Sequence, residues 1–477
     1  MRRCTGQSGP RSLSTMKHHD LTRRAFLAST TLTAVGALAG CATRTNTARV
    51  VPGKLSPNEK VAIGVIGLGG RARDLIGQCK DVPNFQLVAV SDCFQPRIAQ
   101  FQELHGATHK FTGYPDFRKM IESEKLDGVM VETTTHARAW VACHAMAMGM
   151  DAYIEKPMAL TIAEGRDMVN IARKYNRVTQ IGTQQRSIPV NNWISDLVKN
   201  GAIGKVHTVR GCNYIGPWIY TSTEEQPMPD GGENWWDIWT NQAVVRPYHE
   251  KIHRMWDKWD DYDGGGTTYG VTGWGAHGYD QIQRGLGTDE TGPVEVVLEE
   301  EVAERRTGKF ERTNIPPEDT GSPYYGMADQ TGPRAKVRMK YKNGVELQLD
   351  MDGDRSPGLG CVYIGDKGEI ELNRNMYTCS PDTLVDPAGK PTPIGVPETH
   401  PHVENWIECI KTRATCNGDI EYGQRSSTLC YLVNIARSVG KVGEVLQWNP
   451  KKEEFRNCPE GNAMLSRPRR KGYELPT

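Results

Sequence analysis

The apolar positions of this chain change period along its length, and the changes divide it. From Val61 the run VAIGVI is continuous, as in a strand buried on both faces, and it ends in the glycine-rich turn Gly67-Leu68-Gly69-Gly70. Between Leu87 and Met158 apolar strands alternate with helical stretches: LVAVSD, a helix near 96–105, a polar loop, a helix near 115–123, DGVMVET, then WVACHAMAMG. This alternation predicts an α/β domain built on a doubly wound parallel sheet. DAYIEKP supplies another short strand. Thr161-Ile162-Ala163-Glu164 is a capping box opening a helix through about Lys174, and VTQIGTQQ gives the last strand of this half. The first domain is expected over residues 59–185.

Beyond it the helix NNWISDLVKNG leads into KVHTVRGCNYI, whose alternation suits a sheet with one solvated face. AKVRMKY and VELQLDM flank Lys342-Asn343-Gly344, a hairpin signal that predicts antiparallel pairing. Val403, Trp406, Ile407 and Ile410 keep helical spacing, as do Leu432, Ile435, Ala436 and Val439, so both stretches read as core-facing helices. A second α/β domain over 186–450 and a C-terminal extension over 451–477 follow. Residues 216–262 depart in composition, because Trp218, Trp235, Trp236, Trp239, Trp256 and Trp259 crowd into one polar, proline-containing segment. Such aromatics either form a binding surface or pack a long loop onto the sheet.

A length of 477 residues and 38% hydrophobic content suit a globular protein of two domains. The net charge is only +1 and no basic face is interleaved with aromatics, which argues against a nucleic-acid partner. The first 41 residues place Arg23 and Arg24 before an apolar stretch that ends in small residues, an export signal. Thr22 to Leu27 resembles the twin-arginine consensus, and Leu38-Ala39-Gly40-Cys41 resembles a lipobox whose Cys41 would be lipidated. The expected location is periplasmic or membrane-anchored, with the membrane reached only through signal or lipid, and residues 42–58 form a polar tether. The twelve cysteines are scattered, without C-x-x-C pairs or metal-ligand spacing, so no metal is expected and most are read as unpaired. Folding in the reducing cytoplasm before twin-arginine export reconciles free thiols with an exported chain, and a nucleotide cofactor would be loaded there.

The chemistry begins at the glycine turn. Gly67 permits the turn, Gly69 admits the backbone to a pyrophosphate, and the following helix start aims its positive end at the anion. Asp92 ends the second strand, 25 residues after Gly67, where a carboxylate hydrogen-bonds the adenosine ribose and repels a 2′-phosphate. NAD is therefore favoured over NADP. Lys156, followed by proline at the sheet's carboxyl edge, sits where α/β ligands bind, and His277 lies in the glycine-rich GWGAHGYD.

Glu155-Lys156-Pro157, at the end of the fifth apolar strand of a nucleotide-binding half, resembles the EKP signature of the Gfo/Idh/MocA oxidoreductases. The resemblance runs from Gly67-Leu68-Gly69-Gly70-Arg71 through Gly182-Thr183-Gln184 and Trp274–Asp280 to HPHVENWIECIKTR and LVNIARSVGK, most of the chain. It implies a Rossmann domain followed by an α/β domain with a large open, mostly antiparallel sheet, and sugar or cyclitol substrates. It assigns Gly67, Leu68, Gly69, Gly70, Arg71, Asp92, His136, Glu155, Lys156 and Gln184 to the cofactor. Lys156 would orient the reacting hydroxyl and His277 would exchange its proton. Tyr214, Tyr248, His253, Trp256 and Asp280 are candidates for the carbohydrate, Asp280 alternatively holding His277 or capping a helix.

The chain departs from the family pattern at Gly273, where an Asp often precedes the histidine by four residues. It departs again at Glu132, which could be a second cofactor-ribose ligand or a loop charge. Export raises an alternative function, a redox-neutral NAD-dependent glycosidase that retains its cofactor. A homo-oligomer built across the exposed sheet is a further expectation.

Overall fold

The computed structural model describes residues 59–221, 224–306, 331–351 and 359–476, and every element and contact is counted among these described residues. The signal over 1–41 with Cys41, and the tether over 42–58, lie outside them. Six strands, β1 (Val61–Ile66), β2 (Phe85–Ser91), β3 (Thr112–Tyr114), β4 (Gly128–Val131), β5 (Asp151–Ile154) and β6 (Thr179–Ile181), form one all-parallel sheet in the order β3-β2-β1-β4-β5-β6. Helices α1 (Gly70–Gln78), α2 (Pro96–His105), α3 (Phe117–Ser123), α4 (Thr135–Ala147) and α5 (Ile162–Lys174) make the crossovers. β4 and β5 are buried throughout and β1 nearly so, which is why they read as unbroken apolar runs. Strand order reverses between β1 and β4, so a crevice opens at their carboxyl ends. At the start of α5, Thr161 accepts from Glu164 N–H at 3.3 Å, but the Glu164 carboxylate takes Leu160 N–H instead of closing the reciprocal box.

The second part holds β7 (Val206–Cys212), β8 (Pro293–Leu298), a separate ribbon of β9 (Ala303–Arg306) with β10 (Thr331–Arg334), and then β11 (Val337–Tyr341), β12 (Glu346–Met351), β13 (Cys361–Gly365), β14 (Gly368–Asn373), β15 (Met376–Ser380), β16 (Val445–Asn449) and β17 (Glu454–Phe455). Nine of these make one sheet in the order β15-β14-β13-β7-β12-β11-β8-β16-β17, and only the β7–β12 pair is parallel. The β11–β12 hairpin forms at the predicted Lys342-Asn343-Gly344, with Gly344 at φ +90°. The helices are α6 (Pro189–Lys199), α7 (Trp235–Thr240), α8 (Glu250–Arg254), α9 (Gly275–Leu286), α10 (Thr399–Thr412), α11 (Ile420–Val439) and α12 (Pro459–Ala463). Residues of α6, α9 and α11 share the main core with Val337, Met339, Leu347 and Leu349 of the large sheet.

The two late amphipathic helices serve different cores. Leu429, Leu432 and Ile435 of α11 join the core of the large sheet, whereas Val403, Trp406, Ile407 and Ile410 of α10 pack with Val61, Val65, Met130 and Tyr153 of the parallel sheet. A Cβ on Gly128 would lie 3.1 Å from the Trp406 ring, so the glycine lets that indole pack close against β4. The C-terminal extension also turns back across the molecule. Arg467 binds Asp260, Arg469 pairs with Glu164, and Arg470 reaches Asp237 and the Asn241 carbonyl. Tyr473 donates to Asp237 at 2.9 Å and packs its ring on Trp140, so this strap fastens the tryptophan-rich segment to α4 and α5.

Candidate active site

The glycine turn has the geometry its composition requires. Gly67 adopts φ +87°, its N–H donates to Ser91 O at 2.8 Å, and an added Cβ would stand 2.8 Å from Thr133 N at the exit of β4. Asp92 accepts from Leu68 N–H at 2.8 Å and Phe94 N–H at 2.9 Å, which leaves carboxylate lone pairs for a further donor. Around this turn lies a cavity of about 640 Å³. Gly67, Gly69, Gly70, Arg71 and Asp92 line one side, and α1 begins there with its positive end facing the space. Arg97, whose guanidinium would lie 3.5 Å from a Cβ on Gly69, also lines the cavity, as do Phe117, Arg118 and Trp140. These features fit a dinucleotide: a close-approach turn, a helix start for phosphate and a carboxylate for a ribose.

The tryptophan-rich segment roofs the same cavity. Trp236 and Trp239 stack with centroids 4.9 Å apart, Trp235 packs on Phe94 at 4.7 Å, and Gln95 N–H donates to Gly231 O at 3.0 Å. Tyr248, His253 and Trp256, expected at a carbohydrate, line the cavity beside Trp239, in one space with Asp92 and Arg97. Burial first, then Arg97 and Arg254, pushes His253 down to about 4, so its imidazole is neutral in the roof. The segment packs as a loop around its own aromatic cluster and at the same time lines the cavity.

Lys156, just past β5, and His277 of α9 come within electrostatic reach of each other in a buried cluster, and neither is among the residues that line the cavity. Lys156 follows β5, and its Nζ donates to Gly273 O at 3.0 Å. Burial lowers its pKa, opposed by the charges of Glu155 and Asp263. His277 stands in the first turn of α9, buried, with Nδ1 lacking a partner among the described residues. Burial, then the Lys156 charge, holds its pKa well below the usual histidine range, so at neutral pH it is a proton acceptor. A side chain at 273 has no space, since a Cβ would collide with the Thr267 carbonyl.

A carboxylate nevertheless reaches this cluster from another loop. Asp263, fully buried, accepts from Thr135 Oγ1 at 2.5 Å and from Thr272. Arg138 links Thr135 back to the Pro157 carbonyl, so Lys156, Gly273, Thr272, Asp263, Thr135 and Arg138 close a ring across the two sheets. Sequence reasoning missed Asp263, because nothing in WDDYDGGG separates it from its acidic neighbours.

Several expected ligands are packed elsewhere. His136 is fully buried; its Nε2 meets Trp239 O at 2.8 Å and its ring lies against Trp239 and Tyr262, so it anchors the roof. Gln184 donates to Tyr153 Oη at 2.9 Å. Leu68 points into the core under α1, with its N–H taken by Asp92. Glu155 accepts from Arg71 Nε at 2.5 Å and Lys156 N–H at 2.5 Å, and therefore orients both residues from behind the wall. Tyr214 packs in the large sheet's core against Tyr279 and Gly275. Asp280 does not hold His277. It receives Arg186 Nε on both oxygens at 2.8 Å and the Ser426 hydroxyl at 2.6 Å, a buried pair whose disruption typically costs about 3–5 kcal/mol.

A 3-2-1-4-5-6 parallel sheet with this turn, joined to a second α/β part with a large open sheet, defines a two-domain dinucleotide-binding protein. Residues 61–183 match the family model described as "Oxidoreductase family, NAD-binding Rossmann fold", and residues 189–321 and 325–475 match that for its C-terminal alpha/beta domain. The chain belongs to the Gfo/Idh/MocA oxidoreductase family, and its first domain is of the NAD-binding type.

Among curated relatives, myo-inositol 2-dehydrogenase of Thermotoga maritima is 29% identical over 150 residues, 31% of this chain and 43% of that protein. A glycosyl hydrolase family 109 protein of Solibacter usitatus is 27% identical over 201 residues, 39% of this chain and 44% of that protein. The chain thus spans less than half the length of each. The aldose-aldose oxidoreductase of Caulobacter crescentus, solved with glycerol, shares the fold with a TM-score of 0.53 at 17% identity, over 82% of this chain and 100% of that one.

Proposed function

We propose that this protein is an NAD-dependent oxidoreductase that moves hydride between its cofactor and a hydroxyl-bearing carbon of a sugar, cyclitol or derivative. The observation that carries the reading is the buried pairing of Lys156, just past β5, with His277 of α9, in a chain whose glycine turn and Asp92 line a cavity fit for a dinucleotide. The turn at Gly67–Gly70 and Asp92 would hold NAD, which when bound supplies a hydride acceptor or donor at its nicotinamide ring. Lys156, fixed by Gly273 O and backed by Glu155, orients the substrate hydroxyl and lowers the cost of its deprotonation. His277, neutral in its buried setting, takes the hydroxyl proton as the carbon gives up hydride, and returns it in the reverse direction. Incubating the full chain with NAD and a panel of aldoses and cyclitols, with nicotinamide reduction followed by absorbance, tests this. Reduction by no member of the panel would reject it.

A redox-neutral reading is favoured by one further observation, the aromatic roof strapped over the cavity, which suits a cofactor that stays bound. The family 109 relative lends it modest support. Glycoside cleavage through several turnovers with no added nucleotide would select this reading, and strict dependence on added NAD would select the first. We also assign the chain to twin-arginine export with lipidation at Cys41, from the motifs around Arg23, Arg24 and Cys41. Self-association across the large sheet belongs to the same proposal. The strand residues alternating with its core positions include Arg210, Arg338, Lys340, Glu346 and Asp350, of which Arg210 pairs with Asp350 and Arg338 with Glu346 within the sheet, so such an interface would be polar. Sedimentation of the purified protein measures it.

A further inference from the structure

The backbone carbonyl that receives Lys156 Nζ at 3.0 Å, Gly273 O, belongs to a loop that is itself held from two directions. Gly273 N–H and Thr272 N–H both donate to Gly265 O at 3.1 Å, and the Thr272 hydroxyl donates to Asp263 Oδ1. The other oxygen of Asp263 accepts from Thr135 Oγ1 at 2.5 Å, and its N–H is taken by Trp259 O at 2.9 Å. Thr135 opens α4 beside the parallel sheet, whereas Gly273 lies two residues before α9, whose first turn carries His277. One fully buried carboxylate therefore joins the start of α4 to the entry of α9. The glycines that follow it make the room. A Cβ on Gly264 would lie 2.7 Å from the Thr272 methyl carbon, and one on Gly266 would lie 2.9 Å from Asp263 Oδ1.

Two neutral hydroxyl donors offset only part of the cost of burying a carboxylate, so a cation within reach has to supply the rest. Lys156 is such a cation, and the other carboxylate beside it is spent: Glu155 accepts from Arg71 Nε and from Lys156 N–H. We propose that Asp263 is a positioning residue of the reaction site, which fixes the Gly273 carbonyl and the entry of α9 through Thr272 and supplies the negative charge that keeps Lys156 an ammonium. The inference deepens the oxidoreductase reading and rests on Lys156 as the group that orients the substrate hydroxyl. Burial lowers Lys156, the charges of Glu155 and then Asp263 oppose the fall, and Arg71 and Arg138 add to it. Burial raises Asp263 itself to about 6 against the hydrogen bonds from Thr135 and Thr272, so above neutrality it is ionised. Of the other groups that face Lys156, His277 is neutral, the Cys430 thiol is raised by burial, and Asp257 is raised by burial against the pull of Lys258.

The test is acetylation of the full chain by acetic anhydride across neutral to alkaline pH, with the peptide that holds Lys156 followed by mass spectrometry. Lys156 is not fully buried, so a reagent of this size can reach it. Only the free amine reacts, so the midpoint of the profile marks the loss of the ammonium, with neither cofactor nor substrate present. Asp263→Asn keeps the shape and an oxygen acceptor but removes the charge, and the Lys156 midpoint should fall by about one pH unit. Thr272→Val keeps the charge and cuts the link to Gly273. Its midpoint should stay where it is in wild type, while kcat toward the panel aldose or cyclitol that wild type oxidises should fall about tenfold at unchanged KM. An unmoved midpoint in Asp263→Asn would overturn the proposal, and so would normal turnover in Thr272→Val, which decides the matter even where Asp263→Asn does not fold. Oxidation of no panel member by wild type would instead reject the oxidoreductase reading, and the acetylation midpoints would still show whether Asp263 holds the charge of Lys156.

Discussion

Lys156 is held by a backbone carbonyl rather than by a carboxylate in direct contact, so its ammonium keeps hydrogen-bonding capacity for a substrate hydroxyl. Replacing it with Met removes that group while keeping the length of the side chain. Lys156→Met should bind NAD normally in a fluorescence titration but turn over about 100-fold more slowly, the usual scale for losing a positioned proton-transfer or electrostatic group. Near-normal turnover would remove Lys156 from the reaction. Asp92 holds two backbone amides and borders the cavity, so Asp92→Ala loses both a ribose acceptor and part of the turn's support. NAD affinity should drop by about 1.5–3 kcal/mol, roughly ten- to hundredfold, and the gap to NADP should narrow. An unchanged NAD titration would place the adenosine ribose elsewhere. Both residues were legible in the sequence because strand ends and glycine turns are local patterns. Asp263 was not, since its importance lies in Thr135 and Thr272, and Thr135 is 128 residues away.

At the scale of elements, the tryptophan segment with α7 and the C-terminal strap act as one closure over the cavity. Arg470 is the joint, because its guanidinium reaches the Asp237 side chain and carbonyl and the Asn241 carbonyl, while Tyr473 shares Asp237. Arg470→Ala should leave the large core untouched, since the residue is a quarter exposed and lies outside it, but should loosen the roof. Stopped-flow displacement of bound NAD should show release accelerated severalfold in the variant. An unchanged off-rate would mean that the strap does not govern cofactor exchange. The concentration of tryptophans was visible in the sequence, but not its target. Aromatic burial is non-directional, and the same indoles could have covered the large sheet.

For the whole molecule, the proposed route of export makes a prediction that needs no knowledge of the substrate. Changing Arg23 and Arg24 together to Lys preserves charge but removes the paired guanidinium groups, so the protein should accumulate in the cytoplasm, as cell fractionation would show. Normal export of the double variant would dismiss the motif. Each of the ten cysteines among the described residues is a free thiol.

What the sequence determined by itself was everything carried by short periods: the parallel alternation of residues 61–181, the glycine turn at Gly67, the acidic end of β2 at Asp92, and the β11–β12 hairpin. These depend on backbone sterics and on one face of one element. Only the tertiary structure decided that α10 completes the first core, that Asp280 serves Arg186 and not His277, and that His136 and Tyr214 are packing residues. It also placed Trp239 and Trp256 over the cofactor cavity. Hydrophobic faces specify that they must be covered but not by what, and a buried polar group takes its meaning from partners that chain spacing does not encode.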